Sequence, residues 1–222
     1  MKNKIKEAVI AVLVCILLFL SGWLLLGRTP EENDMWRYKK EPADSSFLKL
    51  YLEAGSYLEN KEYENALKSI NKIIKAAPKN YTAYYNKAII LFYMGKYKES
   101  LKNFDKSIKF SPEPSADIYS GKAMSLLKLK KYEKAIETAK TIFEIEEHYM
   151  PAYYLLVDAY IMSGNFQEAL VIFEKYINSY PNIFSDDYIR WIDILAKAGP
   201  ADKEAAEQIK DLLEKAVKIE RG

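Results

Sequence analysis

An internal repeat of about 34 residues limits the folds open to this chain more than any other feature of its sequence. Its clearest copy, residues 81–112, contains two segments whose apolar residues recur at helical spacing, joined by a short turn and closed by Pro112. Pro78 and Tyr63 are the equivalents of Pro112 and Tyr97 one repeat earlier. One helical hairpin cannot bury its apolar face alone, so several hairpins must stack on one another. The sequence therefore predicts an all-α solenoid.

Four copies of this hairpin can be aligned within residues 47–182, at approximately 47–80, 81–114, 116–149 and 150–183. Each copy has a small residue where its two predicted helices cross and an aromatic residue at the start of its second helix. Small residues at a crossing let two helix axes approach to about 8–10 Å, and the aromatic residues fill the space towards the next hairpin.

This pattern resembles the tetratricopeptide repeat (TPR) family. The residues that carry the resemblance are Ala54, Tyr63, Ala66 and Pro78 in the first copy, Ala88, Gly95, Tyr97, Ser100 and Pro112 in the second, Ala123, Tyr132 and Ala135 in the third, and Gly164, Phe166, Ala169 and Pro181 in the fourth. The chain departs from the pattern at Lys61 and Lys130, which replace a turn glycine, and at Ile73 and Tyr176, which replace a small residue. Glu147 replaces a closing proline. The resemblance implies a right-handed α-solenoid of helical hairpins.

Residues 8–27 form an apolar stretch without a single charge, behind a basic flank at residues 1–7. About twenty residues rising about 1.5 Å each match the roughly 30 Å hydrocarbon core of a bilayer. A cleaved signal peptide fits less well, because its apolar part usually has about 7–15 residues and ends at a small-x-small site. We therefore expect a single N-terminal transmembrane helix that is not cleaved.

The orientation of this helix depends on the basic residues at its two ends. Lys2, Lys4 and Lys6 crowd the first end, whereas only Arg28 lies close to the second. This distribution favours a single-pass membrane protein with a cytoplasmic N-terminus and an extracytoplasmic repeat domain. The opposite topology, with a cytoplasmic repeat domain, stays open. When basic residues further along the chain are included, the numbers of lysines and arginines on the two sides of the helix are nearly equal.

The segments on either side of the repeats have distinct compositions. Residues 28–46 contain two prolines and dense charge, which predicts a linker. Residues 183–222 leave the register of the repeat but predict two further helices around Gly199-Pro200. The second of these has an apolar stripe and a polar opposite face, as the terminal copy of a solenoid requires. We therefore expect a degenerate fifth hairpin that caps the array.

Composition and motifs argue against catalysis and against nucleic-acid binding. The net charge is +2 and lysine and glutamate are mixed along every predicted helix, whereas a nucleic-acid groove needs clustered basic residues. The chain has one cysteine, Cys15, and one histidine, His148, and no Gly-rich phosphate loop. We predict no enzyme activity, no catalytic residue, no cofactor and no metal site.

In TPR proteins the first helix of each hairpin lines a concave groove. The resemblance implies that this groove is formed by Tyr51, Tyr85, Asn86, Ile89, Phe92, Tyr93, Met124, Leu127, Tyr154, Asp158, Ile161 and Met162. Such a surface is aromatic and apolar with little charge, and it suits a peptide or helix of a protein partner. Each of these residues could instead pack between hairpins, and the sequence leaves that alternative open.

One TPR subtype grips acidic C-terminal peptides through lysine, arginine and asparagine side chains on the first helices. The corresponding residues here are Tyr51, Gly55, Asn86, Asp117 and Gly121, of which only Asn86 matches. We therefore predict no tight binding of acidic C-terminal peptides.

Two functions are consistent with these observations. The first is a membrane-anchored adaptor or scaffold for protein–protein interaction, which binds a peptide or helix of its partner in the concave groove. The alternative is a self-assembling, homo-oligomeric structural scaffold at the membrane.

Overall fold

The computed structural model describes residues 47–180 together with Glu204, Glu207 and Asp211. All of these belong to the second of two units of the chain, Lys39–Gly222. Within residues 47–180 the structure has eight helices and no strand. The helices are α1 (Leu48–Glu59), α2 (Tyr63–Ala76), α3 (Tyr81–Tyr93), α4 (Tyr97–Phe110), α5 (Ala116–Lys128), α6 (Tyr132–Ile145), α7 (Met150–Ser163) and α8 (Phe166–Ser179).

The helices form four hairpins in chain order. We refer to α1, α3, α5 and α7 as first helices and to α2, α4, α6 and α8 as second helices. Each first helix packs on its own second helix, and α3, α5 and α7 also pack on the second helix of the preceding hairpin. The all-α solenoid predicted from the repeat is therefore confirmed, while its handedness stays a prediction.

Every hairpin turns through one residue in the left-handed backbone conformation. These residues are Lys61 (φ 60°), Gly95 (φ 72°), Lys130 (φ 58°) and Gly164 (φ 81°). The N–H that follows returns to a carbonyl of the last helical turn, as from Lys96 to Leu91 at 2.9 Å. This bond pattern satisfies carbonyls that would otherwise lack partners at the end of the helix. The two lysines therefore make the same turn as the glycines, although a side chain in this conformation costs about 1–2 kcal/mol.

The predicted small residues lie buried where the helices of a hairpin cross. Ala66, Ala88 and Ala123 each have 0 % exposure, as does Ser100, which replaces alanine in the second hairpin. The Ser100 hydroxyl donates to the Ala88 carbonyl at 2.8 Å, so its polar atom is satisfied across the crossing. Close approach of the helices at these points is what allows the hairpins to stack.

Two large residues occupy crossing positions where the family usually has a small one. Ile73 and Tyr176 both have 0 % exposure. The Tyr176 ring lies 5.2 Å from that of Tyr154 and 5.8 Å from that of Tyr153, centroid to centroid. The fourth hairpin therefore accommodates Tyr176 within a cluster of tyrosines.

Two pairs of successive first helices contact each other, whereas successive second helices do not do so to a comparable extent within residues 47–180. Within residues 47–180, α3 contacts α5 and α5 contacts α7, in addition to the contacts between consecutive helices. First helices thus approach each other more closely than second helices do. We use the term inner wall for the face of the first helices that carries the groove residues proposed from the sequence.

The expected localisation as a single-pass membrane protein is contradicted. In the part of the chain that the structure describes, no helix is both long enough and apolar enough to cross a membrane. The localisation, and with it the membrane anchoring of the adaptor, is therefore withdrawn. Residues 8–27, on which the expectation was based, lie outside the described residues.

The remaining segment predictions also fall mostly outside the described residues. This applies to the basic flank at 1–7, to the linker at 28–46 and to most of the fifth hairpin at 183–222. Of that hairpin the structure describes Glu204, Glu207 and Asp211, which are helical and exposed. These segment boundaries stay predictions.

Candidate functional site

The structure divides the twelve proposed groove residues by exposure. Buried, with 9 % exposure or less, are Tyr51, Tyr85, Asn86, Ile89, Phe92, Leu127 and Ile161. Tyr93, Met124, Tyr154 and Asp158 are partly exposed, and Met162 is 48 % exposed. A ligand on the inner wall would therefore meet the second group directly, while the first group supports it from below. A binding role for either group stays a prediction.

The buried aromatics of the second hairpin pack against its own second helix. The ring of Tyr85 lies 6.1 Å from that of Phe104 at an interplanar angle of 66°. The ring of Phe92 lies 5.2 Å from that of Tyr97 at 61°. Edge-to-face pairs of this kind add to the stability gained from burial. Both side chains thus contribute to packing between the two helices of the hairpin.

Asn86, the one residue shared with the carboxylate-gripping TPR subtype, is held by its own helix. Its side-chain amide donates to the Thr82 carbonyl at 3.0 Å, and the residue is 3 % exposed.

The partly exposed aromatics of the inner wall are held by neighbouring rings. Tyr93 stacks on Tyr63 with ring centroids 6.4 Å apart and an interplanar angle of 2°. The Tyr154 hydroxyl shares a hydrogen bond with the Tyr176 hydroxyl at 2.6 Å. Each of these tyrosines thus has a neighbouring aromatic residue that favours one orientation of its side chain.

A polar cluster joins three successive hairpins on the inner wall. The Tyr149 hydroxyl, just before α7, donates to Asp117 Oδ1 in the first turn of α5 at 2.9 Å. Burial raises the pKa of the Tyr85 phenol on α3, and the nearby Asp117 and Tyr149 raise it further. Ser120 lies one helical turn after Asp117 and is 1 % exposed. We refer to Tyr85, Asp117, Ser120 and Tyr149 as the Asp117 cluster.

The electrostatics of the Asp117 cluster keep its phenols protonated. Burial raises the pKa of Tyr149, and the charge of Asp117 together with their hydrogen bond raises it further. Ser120 lies near enough to Tyr149 to oppose part of this rise in pKa. Both tyrosines therefore keep their phenolic protons to a higher pH than an exposed tyrosine does.

The sequence analysis did not assign Asp117 or Tyr149 to the groove. A comparable bond in the first hairpin, from the Tyr51 hydroxyl to Asn80 Oδ1 at 2.9 Å, also ties a first helix to the residue before the next one.

One lysine on α3 and one on α5 point away from the inner wall. Lys87 Nζ donates to Asn71 Oδ1 on α2 at 2.8 Å. Lys122 Nζ pairs with Asp105 Oδ1 on α4, also at 2.8 Å. Both lysines thus contact the second helix of the preceding hairpin.

Among the described residues, no group of three or more histidine, cysteine, aspartate or glutamate side chains could hold a metal ion.

Three family models described as tetratricopeptide repeat match the chain, at residues 50–80, 81–114 and 126–198, which together make up more than half of it. The TPR repeat-containing protein MJ1428 of Methanocaldococcus jannaschii is 28 % identical over 145 residues, or 65 % of this chain. That match covers 25 % of the relative, so the chain spans about a quarter of its length.

Solved structures share the fold. MamA 41-end from Desulfovibrio magneticus RS-1 superposes with a TM-score of 0.64 at 20 % identity, covering 80 % of this chain and 97 % of the other. YrrB, described as a TPR protein with an unusual peptide-binding site, gives a TM-score of 0.60 at 22 % identity, covering 85 % and 89 %. The repeat pattern, the stacked hairpins and these matches lead to one conclusion. The chain belongs to the tetratricopeptide repeat family.

Proposed function

We propose that this chain is a protein-interaction scaffold that holds a peptide or a helix of a partner protein against its inner wall. The observation that carries the proposal is that several large side chains on this wall are accessible to solvent. Tyr93, Met124 and Tyr154 are partly exposed and Met162 is 48 % exposed. Aromatic anchors and adaptable methionines are the side chains from which peptide-binding surfaces are commonly built.

The contacts that orient the two tyrosines support the proposal. Tyr93 is stacked on Tyr63, and Tyr154 is hydrogen-bonded to Tyr176. A side chain that is already ordered loses little conformational entropy when a ligand binds, so more of its contact energy contributes to affinity. The family membership and the peptide-binding site attributed to YrrB agree with this use of the fold.

The proposal can be tested by selecting short peptides from a display library on the full chain and measuring their affinity for variants. Tyr93→Ala, Met124→Ala and Met162→Ala remove partly exposed side chains from the inner wall. We expect a loss of about 1–3 kcal/mol in binding free energy for each variant that removes an energetic hot spot. Val171→Ala is the matched control, because Val171 is 59 % exposed on α8, a second helix.

Three results would contradict the proposal. One is that the library yields no binding peptide. Another is that affinity survives all three inner-wall changes while circular dichroism shows unchanged helix content. The third is that Val171→Ala weakens binding as much as the inner-wall variants do. Light scattering on the same samples tests homo-oligomerisation, since a self-assembling scaffold would show a mass above that of one chain.

A further inference from the structure

We propose that the gap between α2 and α4, on the side of the array away from the inner wall, binds an acidic segment of a partner protein. We refer to this gap as the outer groove. It is lined by Asn71 on α2, Tyr84 and Lys87 on α3 and Lys106 on α4. The proposal goes beyond the proposed function, because it concerns a second surface and does not depend on the inner wall.

The outer groove exists because successive second helices lie apart. Within residues 47–180, α2 and α4 each pack on α3 but make no comparable contact with each other. Lys87 reaches one edge of the groove, where its Nζ donates to Asn71 Oδ1 on α2 at 2.8 Å. At the other edge, Lys106 Nζ on α4 lies 5.1 Å from the centre of the Tyr84 ring on α3. The ammonium groups of Lys87 and Lys106 therefore border the same gap.

Lys87 lacks the carboxylate partner that its equivalent has one hairpin later. Lys87 and Lys122 are each the seventh residue of a first helix, and Asn71 and Asp105 are each the ninth residue of a second helix. Lys122 pairs with Asp105 at 2.8 Å, whereas Lys87 meets the neutral amide of Asn71 at the equivalent place. The positive charge of Lys87 is therefore not neutralised by this contact.

The surroundings of Lys87 are unfavourable to its charge. Burial lowers the pKa of Lys87, the positive charge of Lys106 lowers it further, and Glu99 offsets part of this decrease. A lowered lysine pKa means that the environment compensates the ammonium charge less well than water does. An anionic group bound in the outer groove would supply that compensation.

Further lysines continue along both edges of the outer groove. Each edge carries two exposed lysines, one helical turn before and one after the residue that contacts α3. They are Lys68 and Lys75 on α2 and Lys102 and Lys109 on α4. Among residues 47–180, neither these lysines nor Lys87 and Lys106 form an ion pair with a carboxylate. At the places of the two α4 lysines, α6 has Glu137 and Glu144, so this basic surface is confined to the first two hairpins.

The spacing of the lysines suits an extended acidic segment. Residues one turn apart on a helix have Cβ atoms about 5–6 Å apart. Alternate side chains of an extended peptide lie about 6.6 Å apart, so glutamates at alternate positions can each approach one lysine of an edge. Lysine acts as a mobile point charge without the fixed fork of arginine, and residues 47–180 contain no arginine. The groove therefore matches several carboxylates on a flexible chain better than one rigidly held group.

The test measures the binding of an alternating glutamate–serine octapeptide to the full chain by fluorescence anisotropy. The peptide is acetylated and amidated, so that only its side chains are charged and no terminal carboxylate contributes. We expect binding that weakens steeply as the salt concentration rises, and no binding of a lysine–serine peptide of the same length. Lys87→Gln should weaken the binding about two- to fivefold, because it removes one partly buried charge from the groove.

Asn71→Asp separates a lost binding site from a damaged fold. It gives Lys87 the carboxylate partner that Lys122 has in Asp105. The variant should therefore unfold at the same or a higher urea concentration than the original protein, while it binds the acidic peptide at least as weakly as Lys87→Gln does. A loss of binding in a protein of undiminished stability cannot come from misfolding.

The matched controls change the same charges elsewhere on second helices. Lys134→Gln removes a lysine from α6 and Asn178→Asp adds a carboxylate to α8, both at exposed positions. Each should affect binding less than its counterpart in the outer groove, because distant surface charges are screened in physiological salt. Met162→Ala, on the inner wall, should leave the binding of the acidic peptide unchanged, so this inference and the proposed function can fail separately.

Four results would overturn the inference. One is that the acidic peptide binds no better than the lysine–serine peptide at low salt. Another is that Lys87→Gln and Asn71→Asp act no more strongly than their controls. The third is that a short DNA duplex binds more tightly than the peptide and is weakened in the same way by Asn71→Asp, which would make the occupant a nucleic acid. The fourth is a dimer in light scattering that Asn71→Asp dissociates, because the occupant would then be a second copy of this chain.

Discussion

Replacing Lys130 by glycine should make the protein more stable, although it removes a side chain. Lys130 turns the third hairpin with a φ of 58°, where Gly95 and Gly164 turn the second and fourth with φ values of 72° and 81°. A residue with a Cβ pays about 1–2 kcal/mol in this left-handed conformation. Glycine offsets part of that gain, by about 0.4–1 kcal/mol, because it makes the unfolded chain more flexible. The expected net gain is about 1 kcal/mol in the free energy of unfolding.

The reverse change offers an internal check. A Cβ added at Gly95 would have nothing within 4 Å, so Gly95→Lys introduces the conformational cost without a steric clash. It should therefore destabilise by about the same 1 kcal/mol. Lys102→Gly, at an exposed position in the middle of α4, is the matched control and should destabilise by about 1 kcal/mol, because glycine is unfavourable inside a helix.

Urea unfolding followed by circular dichroism measures these changes. Because stacked hairpins can unfold in parts, amide hydrogen exchange in α5 and α6 should be measured as well. The reasoning is refuted if Lys130→Gly lowers the unfolding midpoint as Lys102→Gly does, since the lysine turn would then carry no strain.

Two further predictions concern Tyr176, Tyr149 and Tyr85. Tyr176→Ala restores the small residue usual in the family, but it should destabilise the protein by about 3–5 kcal/mol in thermal or urea unfolding. The ring has 0 % exposure, so its removal leaves a cavity. An unchanged unfolding midpoint would mean that the hairpin closes around alanine. Stability should be greatest below a pH of about 10 and should fall above it. The folded state raises the pKa of Tyr149 and Tyr85, so it holds their protons more tightly than the unfolded chain, whose tyrosines begin to ionise near this pH. Tyr149→Phe should lessen this alkaline loss, and an equal loss in both proteins would contradict the assignment.

The repeat in the sequence was enough to predict the hairpins, because their positions depend on local features. Lys61 and Lys130 stand where the family has glycine, and they adopt the same positive φ as Gly95 and Gly164. Ala66 and Ala88 are buried at the crossings, as their small size indicated. In each case the residue type and its place in the repeat determine the local structure.

The exposure of the inner-wall residues could not be predicted in the same way. Tyr85 and Phe92 have the helical spacing of groove residues, but their rings are long enough to reach Phe104 and Tyr97 on the second helix of the hairpin. Whether such a ring points towards a ligand or packs against a neighbour depends on rotamer choice and on neighbours far along the chain.

The bond between Tyr149 and Asp117 escaped the sequence analysis for a different reason. It joins residues 32 positions apart, one in the first turn of α5 and the other immediately before α7. Its formation depends on how the fourth hairpin is rotated relative to the third, which the repeat pattern does not specify.

The unequal spacing of first and second helices has a mechanical consequence for the described array. Because α3 contacts α5 and α5 contacts α7, while no comparable contact joins successive second helices within residues 47–180, we expect bending of the array to change the spacing of the second helices most. The separations between α3, α5 and α7 then change little. Groups carried by these helices, such as Asp117 and Asp158, keep an almost constant distance as the array bends. A segment bound to the first helices would therefore keep its contacts while the second helices move apart or together.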